Sequence, residues 1–412
     1  MLDKYLSYNN YYLRPENRAT LSLIEEATRS PRLRASAERA GRILALEEGI
    51  IGSLADKAEK ANIEALYNDG NVADADLTAL EQALDNAQYV EIDDSHSYYI
   101  MPIGQDDSEA KCLTAEAPWL TVTAQEKTSG SQIWTLPAVG SGYRFCSQQQ
   151  GFDMQSIDNS GNLRIIAADK SFAYQLSQAT EGNYYISQAS YQPYTISSKT
   201  SYVSVQRNTA DGVLWKLKPA DTYEVKLNAA GVALMYVGFD TYLPEDVSAY
   251  IADHVDANGV IKLMQLSDTI PHATPVVLYG APYATVTFGV GGQKATPYDG
   301  ANILIGTCLK KTGLPKGTCY TLKTSSNKAV MKTSPVSTSV AENKAYILFA
   351  EGLPELDTYT FDFDNPVDAV REIDNSTVRE LESQSVFDLH GRKLKDIPSG
   401  IYIKDKKKTL HK

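Results

Sequence analysis

Three times between Tyr98 and Leu217 the chain opens a unit with Tyr-x-apolar and closes it with aromatic-x-Leu. Tyr98 and Ile100 lead to Trp134-Thr135-Leu136, Tyr143 and Phe145 to Tyr174-Gln175-Leu176, and Tyr184 and Ile186 to Trp215-Lys216-Leu217. The runs between these ends are short, apolar and broken by turn residues, without helical periodicity. A single unit of this size cannot bury its own aromatic face, so three must pack on one another. The pattern predicts a closed threefold β barrel with Trp134, Tyr174 and Trp215 in its core.

Gln132-Ile133-Trp134 matches the Gln-x-Trp signature of ricin-type β-trefoil lectins, and Asp211-Gly212-Val213-Leu214-Trp215 resembles a relaxed copy of it. The second unit departs, with Tyr174 in place of Trp. The resemblance covers about 120 residues and implies a β-trefoil over 89–220. Trefoils of this type include sugar binders and inert spacers alike.

The 412-residue chain as a whole reads as multidomain and mainly β, with a helical N-terminus. Residues 1–88 form a helical hairpin or bundle. Pro31 opens a helix, since its missing N–H is harmless at the first position. Leu33, Ala37, Ala40, Leu44, Ile51, Leu54 and Ala58 follow three- and four-residue steps, which predicts one long helix bent at Gly49 and Gly52. Leu77, Leu80, Leu84 and Ala87 stripe a later helix. The turn before it, Asp69-Gly70-Asn71-Val72 with Asp76-Leu77, resembles the second half of a dockerin or EF-hand loop. Ala65 and Tyr67 stand where that loop needs carboxylates, so the expected reading is a Gly-terminated helix followed by an Asp-capped one, without calcium.

Residues 221–367 alternate strand-like runs with turns and prolines, which predicts a β-sandwich-like domain. The segments around Ile270-Pro271-His272-Ala273-Thr274 and Asn343-Lys344-Ala345-Tyr346-Ile347 resemble an uncharacterised β module of secreted and surface proteins from Bacteroides- and Prevotella-like bacteria (Bacteroidota). After a linker at 368–385, residues 386–412 form a β-hairpin tail. Its Val386-Phe387-Asp388-Leu389-His390-Gly391-Arg392-Lys393 and Gly400-Ile401-Tyr402-Ile403 are similar to C-terminal sorting segments of those bacteria, and imply the type IX secretion machinery as a partner. The tail holds eight Lys/Arg and three Asp, against a whole-chain net charge of -12, so it reads as an appended module.

That negative charge argues against nucleic acid as partner, and no apolar run approaches the ~20 residues of a membrane span. The five histidines, at 96, 254, 272, 390 and 411, are scattered. Neither a zinc-type His pair, a Gly-x-Ser-x-Gly nor a phosphate-binding glycine loop is present, so no catalytic residue, metal or cofactor is assigned. Asp93-Asp94 beside His96 reads as a polar loop at the entrance to the trefoil.

Cys308 and Cys319 flank a segment with Gly313, Pro315 and Gly317 that reads as a hairpin. Such a hairpin would face the thiols across it, and a bridge would be worth roughly 2–3 kcal/mol. The other reading is two ordinary buried thiols, and for Cys112 and Cys146 pairing stays open. The expected location is secreted or at the outer cell surface.

A sugar ring needs a flat aromatic face rimmed by polar groups. Trp119 has no aromatic counterpart when one counts 15 residues back from each core aromatic, which lands on Asn159 and Thr200. Tyr191, Gln192 and Tyr194 sit beside Pro193 in a loop-like stretch. These four are the candidate ligand-binding residues, for a glycan or glycoprotein. The expectation is a non-catalytic binding or adhesion protein. The alternatives are a C-terminal accessory part of a secreted polysaccharide-degrading enzyme, or a spacer in a surface assembly.

Overall fold

The computed structural model divides the chain into two compact units, residues 1–367 and 368–412. It describes residues 31–68, 74–103, 110–116, 118–147, 150–153, 162–167, 171–188, 194–198, 202–207, 212–364, 366, 386–387, 393–394, 400–404 and 407–411.

Three helices, α1 (Pro31–Leu44), α2 (Lys57–Asn68) and α3 (Asp74–Asn86), enclose a small core of Ala40, Ile43, Leu54, Ile63, Leu80 and Leu84. Asp56 caps α2, its Oδ1 accepting from the Ala58 N–H at 2.6 Å and the Glu59 N–H at 3.2 Å. The predicted long bent helix is corrected: α1 ends at Leu44. Gly49 and Gly52 take φ of 83° and 86°, a left-handed turn that ends helical hydrogen bonding rather than bending it. The Asp69–Val72 turn lies outside the described residues.

The next segment closes into a barrel. Strand Tyr98–Pro102 pairs with Trp134–Thr135 on one side and Trp215–Pro219 on the other. Trp134–Thr135 pairs with Cys146–Ser147, which continues from Gly142–Arg144; that strand pairs with Ala173–Thr180, which pairs with Asn183–Ser187, which returns to Trp215–Pro219. In each unit the opening Tyr sits opposite the closing aromatic: Tyr98 with Trp134, Tyr143 with Tyr174, Tyr184 with Trp215. Trp134, Tyr174 and Trp215 are at most 1% exposed and share one core with Tyr98, Ile100, Phe145, Ile186 and Leu217. The indoles anchor equivalently, Trp134 Nε1 donating to the Leu113 carbonyl at 2.9 Å and Trp215 Nε1 to the Ile196 carbonyl at 3.1 Å.

Three hairpins close one end of this barrel: Lys111–Glu116 with Trp119–Ala124, Gln150–Asp153 with Arg164–Ala167, and Tyr194–Ser197 with Ser204–Arg207. They meet in a ring of backbone hydrogen bonds. Leu120 N–H donates to Leu163 O (3.1 Å), Leu163 N–H to Val203 O (2.9 Å), and Val203 N–H to Leu120 O (2.8 Å). A six-stranded closed barrel capped by three hairpins around a threefold ring is a β-trefoil. Gln132, of the Gln-x-Trp run, is buried and structural; its Oε1 accepts from Glu126 N–H, and its Nε2 donates to the Ala124 carbonyl and Thr123 Oγ1.

Among the described residues beyond 220 all regular secondary structure is β. A four-stranded sheet (Thr222–Lys226, Thr285–Val290, Thr241–Tyr242, Thr269–Ile270) faces a nine-stranded one that includes Val232–Met235, Ser248–Val255 and Val276–Tyr279. Alternate residues of these last strands enter different cores, Ala233, Met235 and Leu278 on one face and Val232, Leu234 and Val277 on the other. A sheet buried on both faces explains why they read as unbroken apolar runs. The first of these cores also contains Tyr99, Met101, Cys112 and Ile133 of the trefoil. Asn343 strengthens the junction, its Oδ1 accepting from Gly130 N–H at 3.2 Å and its Nδ2 donating to the Tyr236 carbonyl at 3.1 Å.

In the second unit, Lys393–Leu394, Val386–Phe387, Gly400–Lys404 and Lys407–His411 lie side by side in one antiparallel sheet, and Lys404 faces Lys407 at the end of the last hairpin. The 368–385 linker lies outside the described residues.

Candidate functional site

The hairpin ring aligns the three units residue by residue. Trp119, Asn162 and Tyr202 each precede a ring residue, and each bridges to the residue following the next ring residue: Trp119 to Arg164, Asn162 to Ser204, and Tyr202 to Thr121. Trp119 therefore does have an aromatic equivalent, which corrects the expectation drawn from counting back to Asn159 and Thr200. The intervening stretches differ among units, so a fixed offset slips register.

These positions assemble a surface site at the hairpin end of the trefoil. Half-buried Trp119 lies against Tyr202, 41% exposed, with ring centroids 5.8 Å apart and planes tilted by 51°. The guanidinium of exposed Arg164 stands 5.4 Å from the Trp119 ring centre. Cation–π attraction holds such a group over an indole at about 0.5–1 kcal/mol when exposed. Glu116, opposite Trp119 in the hairpin, presents an exposed carboxylate that accepts from Thr121 Oγ1 at 3.3 Å. Two aromatic rings, a guanidinium and a carboxylate thus share one face.

Tyr194 opens its strand 38% exposed, with the Arg207 guanidinium 5.9 Å from its ring. Hairpin register places Lys111 and Gln150 at its equivalents, so this Tyr breaks the threefold pattern. Tyr191 and Gln192 lie outside the described residues. Of the residues on these surfaces, the sequence had singled out Trp119 and Tyr194 as candidates, and not Tyr202, Arg164 or Glu116. The signal for Tyr202 was its place just before an apolar hairpin residue, as Trp119 precedes Leu120.

The predicted Cys308–Cys319 bridge is not formed; all four cysteines are buried, and none is in a disulfide. Thr307, next to Cys308, faces Lys344, whereas Cys319 faces Leu348. Four residues along that shared strand separate the two by ~13 Å, beyond the ~7 Å that a disulfide tolerates. The segment is not one hairpin: Ile305–Thr307 and Cys319–Ser325 lie on opposite sides of Lys344–Leu348, and Lys311–Leu314 between them pairs elsewhere, with Thr338–Val340. Burial pushes the Cys112 thiol up to about 12 and the Cys146 thiol up to about 11.

Two acid–histidine arrangements remain. Asp93 accepts from the Ser95 N–H at 2.7 Å, and that backbone bond holds its carboxyl well below the usual range, at about 2. Lys294 pairs with Asp94 at 2.9 Å, which makes this a salt-bridged loop. Buried Asp240 receives the His272 ring at 2.8 Å and the backbone N–H groups of His272, Lys294 and Ala295. Burial alone would raise its pKa, but these bonds together lower it. A carboxylate so fully engaged by backbone donors fixes two loops. Among the described residues no group of three or more His, Cys, Asp or Glu side chains forms a metal site, and no helix is long and apolar enough to cross a membrane.

No protein family and no curated protein matches the chain. Solved structures resemble it in part. A ricin B-like lectin of Macrolepiota procera in complex with lactose is 12% identical, covering 31% of this chain and 98% of the lectin, at a TM-score of 0.26. SeviL bound to asialo-GM1 saccharide is 11% identical, covering 30% and 96%, at a TM-score of 0.22. A Polyporus squamosus lectin bound to a human-type influenza-binding epitope is 11% identical, covering 61% and 98%, at a TM-score of 0.25. Similarity at this level carries no argument about this chain's ligand; the trefoil stands on the barrel closure and the hairpin ring described above.

Proposed function

We propose that this is a non-catalytic carbohydrate-binding protein that acts at the outer cell surface or after secretion, and that its trefoil recognises glycans through the Trp119–Tyr202 face. The observation carrying this reading is the convergence of two aromatic rings with Arg164 and Glu116. Ring faces take up the C–H surface of a pyranose, while the guanidinium and carboxylate offer donors and acceptors to its hydroxyls. The basic tail is the element through which the type IX secretion machinery would act.

A glycan array tests the proposal. The wild-type protein is expected to bind a subset of glycans, and Trp119→Ala or Tyr202→Ala to weaken that binding at least tenfold with the melting temperature nearly unchanged. A blank array for the wild type overturns it. One observation favours a second reading, a structural spacer: the trefoil shares a hydrophobic core with the following β region, as expected of a rigid segment in a surface assembly.

A further inference from the structure

The threefold pattern breaks at the opposite end of the barrel, where the chain passes from one unit to the next. The unit-opening tyrosines Tyr98, Tyr143 and Tyr184 are equivalent in the barrel register, but their hydroxyls have different fates. Tyr98 is 1% exposed, and its hydroxyl is fully engaged: it donates to the Asp93 carbonyl at 2.9 Å and accepts from the Asp93 N–H at 2.7 Å. Tyr143 and Tyr184 are only partly buried, and among the described residues neither hydroxyl has a hydrogen-bond partner. Both line a cleft of about 760 Å³ between the barrel, α1 and the 89–92 segment. Neither hydroxyl is among the buried polar atoms that lack a partner, so both are open to the cleft, where a ligand hydroxyl can take the place of water.

The chain leaves this space open. Gly52 lines the cleft with φ of 86°, and a Cβ there would stand 2.8 Å from the Tyr184 hydroxyl and 3.0 Å from the Gly182 nitrogen. Three of the wall charges are engaged: Arg42 bonds Glu181 at 2.7 Å, and Arg39 bonds Asp85 outside the cleft at 2.6 Å; the fourth is the exposed carboxylate of Glu91. What remains for a ligand is the Glu91 carboxylate, an acceptor for hydroxyl groups, and an uncharged amphipathic wall of the two phenols, the Gln178 amide and the aliphatic faces of Ile51, Val90 and Leu176. A volume of this size lies within the range of small-molecule sites.

We propose that this cleft is a second binding site, separate from the Trp119–Tyr202 face, for a neutral polyhydroxylated ligand of mono- to disaccharide size. The hydroxyls of Tyr143 and Tyr184 bond the ligand's hydroxyls, and the aliphatic wall covers its C–H face. Titration calorimetry on the full chain carrying Trp119→Ala and Tyr202→Ala, which removes the first face, tests it with glucose, galactose, mannose, N-acetylglucosamine, lactose and maltose as probes. At least one probe is expected to bind this background at millimolar Kd or tighter. Adding Tyr143→Phe and Tyr184→Phe, which keep both rings in place, is expected to weaken that binding tenfold or more. Gln178→Ala, at an exposed position unable to unfold the barrel, provides an independent arm with a loss of roughly threefold. Absence of binding by every probe overturns the proposal, as does binding that the Tyr→Phe pair and Gln178→Ala leave unchanged. Neither result touches the array experiment on the first face.

Discussion

Replacing Trp215 by Phe isolates what one core indole contributes to the trefoil. Trp215 is fully buried, faces both Pro102 and Tyr184 across its strand neighbours, and donates its Nε1–H to the Ile196 carbonyl at 3.1 Å. Phe removes that donor and leaves a buried carbonyl with one partner fewer, at about 1–3 kcal/mol. The missing part of the ring system withdraws apolar area worth roughly 1–2 kcal/mol at about 0.8 kcal/mol per buried methylene equivalent. The expected loss is therefore about 2–5 kcal/mol. Tyr174 already fills the equivalent position with a six-membered ring, so the barrel is expected to survive. Urea denaturation followed by far-UV circular dichroism measures the change, with the midpoint falling and the slope unchanged. Trp215→Ala, which empties the site, is expected to cost ~3–5 kcal/mol from the cavity alone. A Phe variant within ~0.5 kcal/mol of wild type, the range of ordinary surface substitutions, would refute the view that this indole anchors the hairpin to the barrel.

Further outcomes follow from other sites. Asn343→Ala removes two side-chain bonds, the one to Gly130 across the trefoil junction and the one to Tyr236 within the β region, and places an alanine at φ of 56°; thermal melts are expected to show a loss of about 2–4 kcal/mol, and Asn343→Gly to recover the backbone part of it. Because the folded Asp240 carboxyl titrates below its ordinary value, its contribution to stability is complete above pH ~3.9 and is lost as pH falls through the lower folded value. Wild type and Asp240→Asn should accordingly differ most near neutrality and converge in acid, and a constant gap down to pH ~2 would contradict this. Ellman's reagent applied without prior reduction is expected to find all four thiols after denaturation and to react slowly with the native protein, since each is buried; fewer than four in the denatured state would show a bridge.

The barrel was legible in the sequence because its signal is local and repeated. A Tyr-x-apolar opening and an aromatic-x-Leu close put alternate side chains on one face of a strand, and three copies require a shared core whatever the loops between them do. The same reasoning placed Pro31 at a helix start. It failed at Gly49 and Gly52, where the apolar spacing continued although the backbone had turned to positive φ, because periodicity reports which side is buried and not whether the helix persists.

What the chain alone determined is thus the class of each segment and the identity of the barrel core. Tertiary structure decided which distant residues meet. Trp119, Arg164 and Tyr202 come from three different hairpins and touch only because the Leu120–Leu163–Val203 ring fixes their register. Cys308 and Cys319 are close in sequence yet lie on opposite sides of a third strand that arrives from residues 344–348. The three opening tyrosines are equivalent by sequence and by barrel register, but the 89–93 segment satisfies only Tyr98. Contacts of this kind depend on loop lengths and strand order, which a pattern of alternating side chains does not encode.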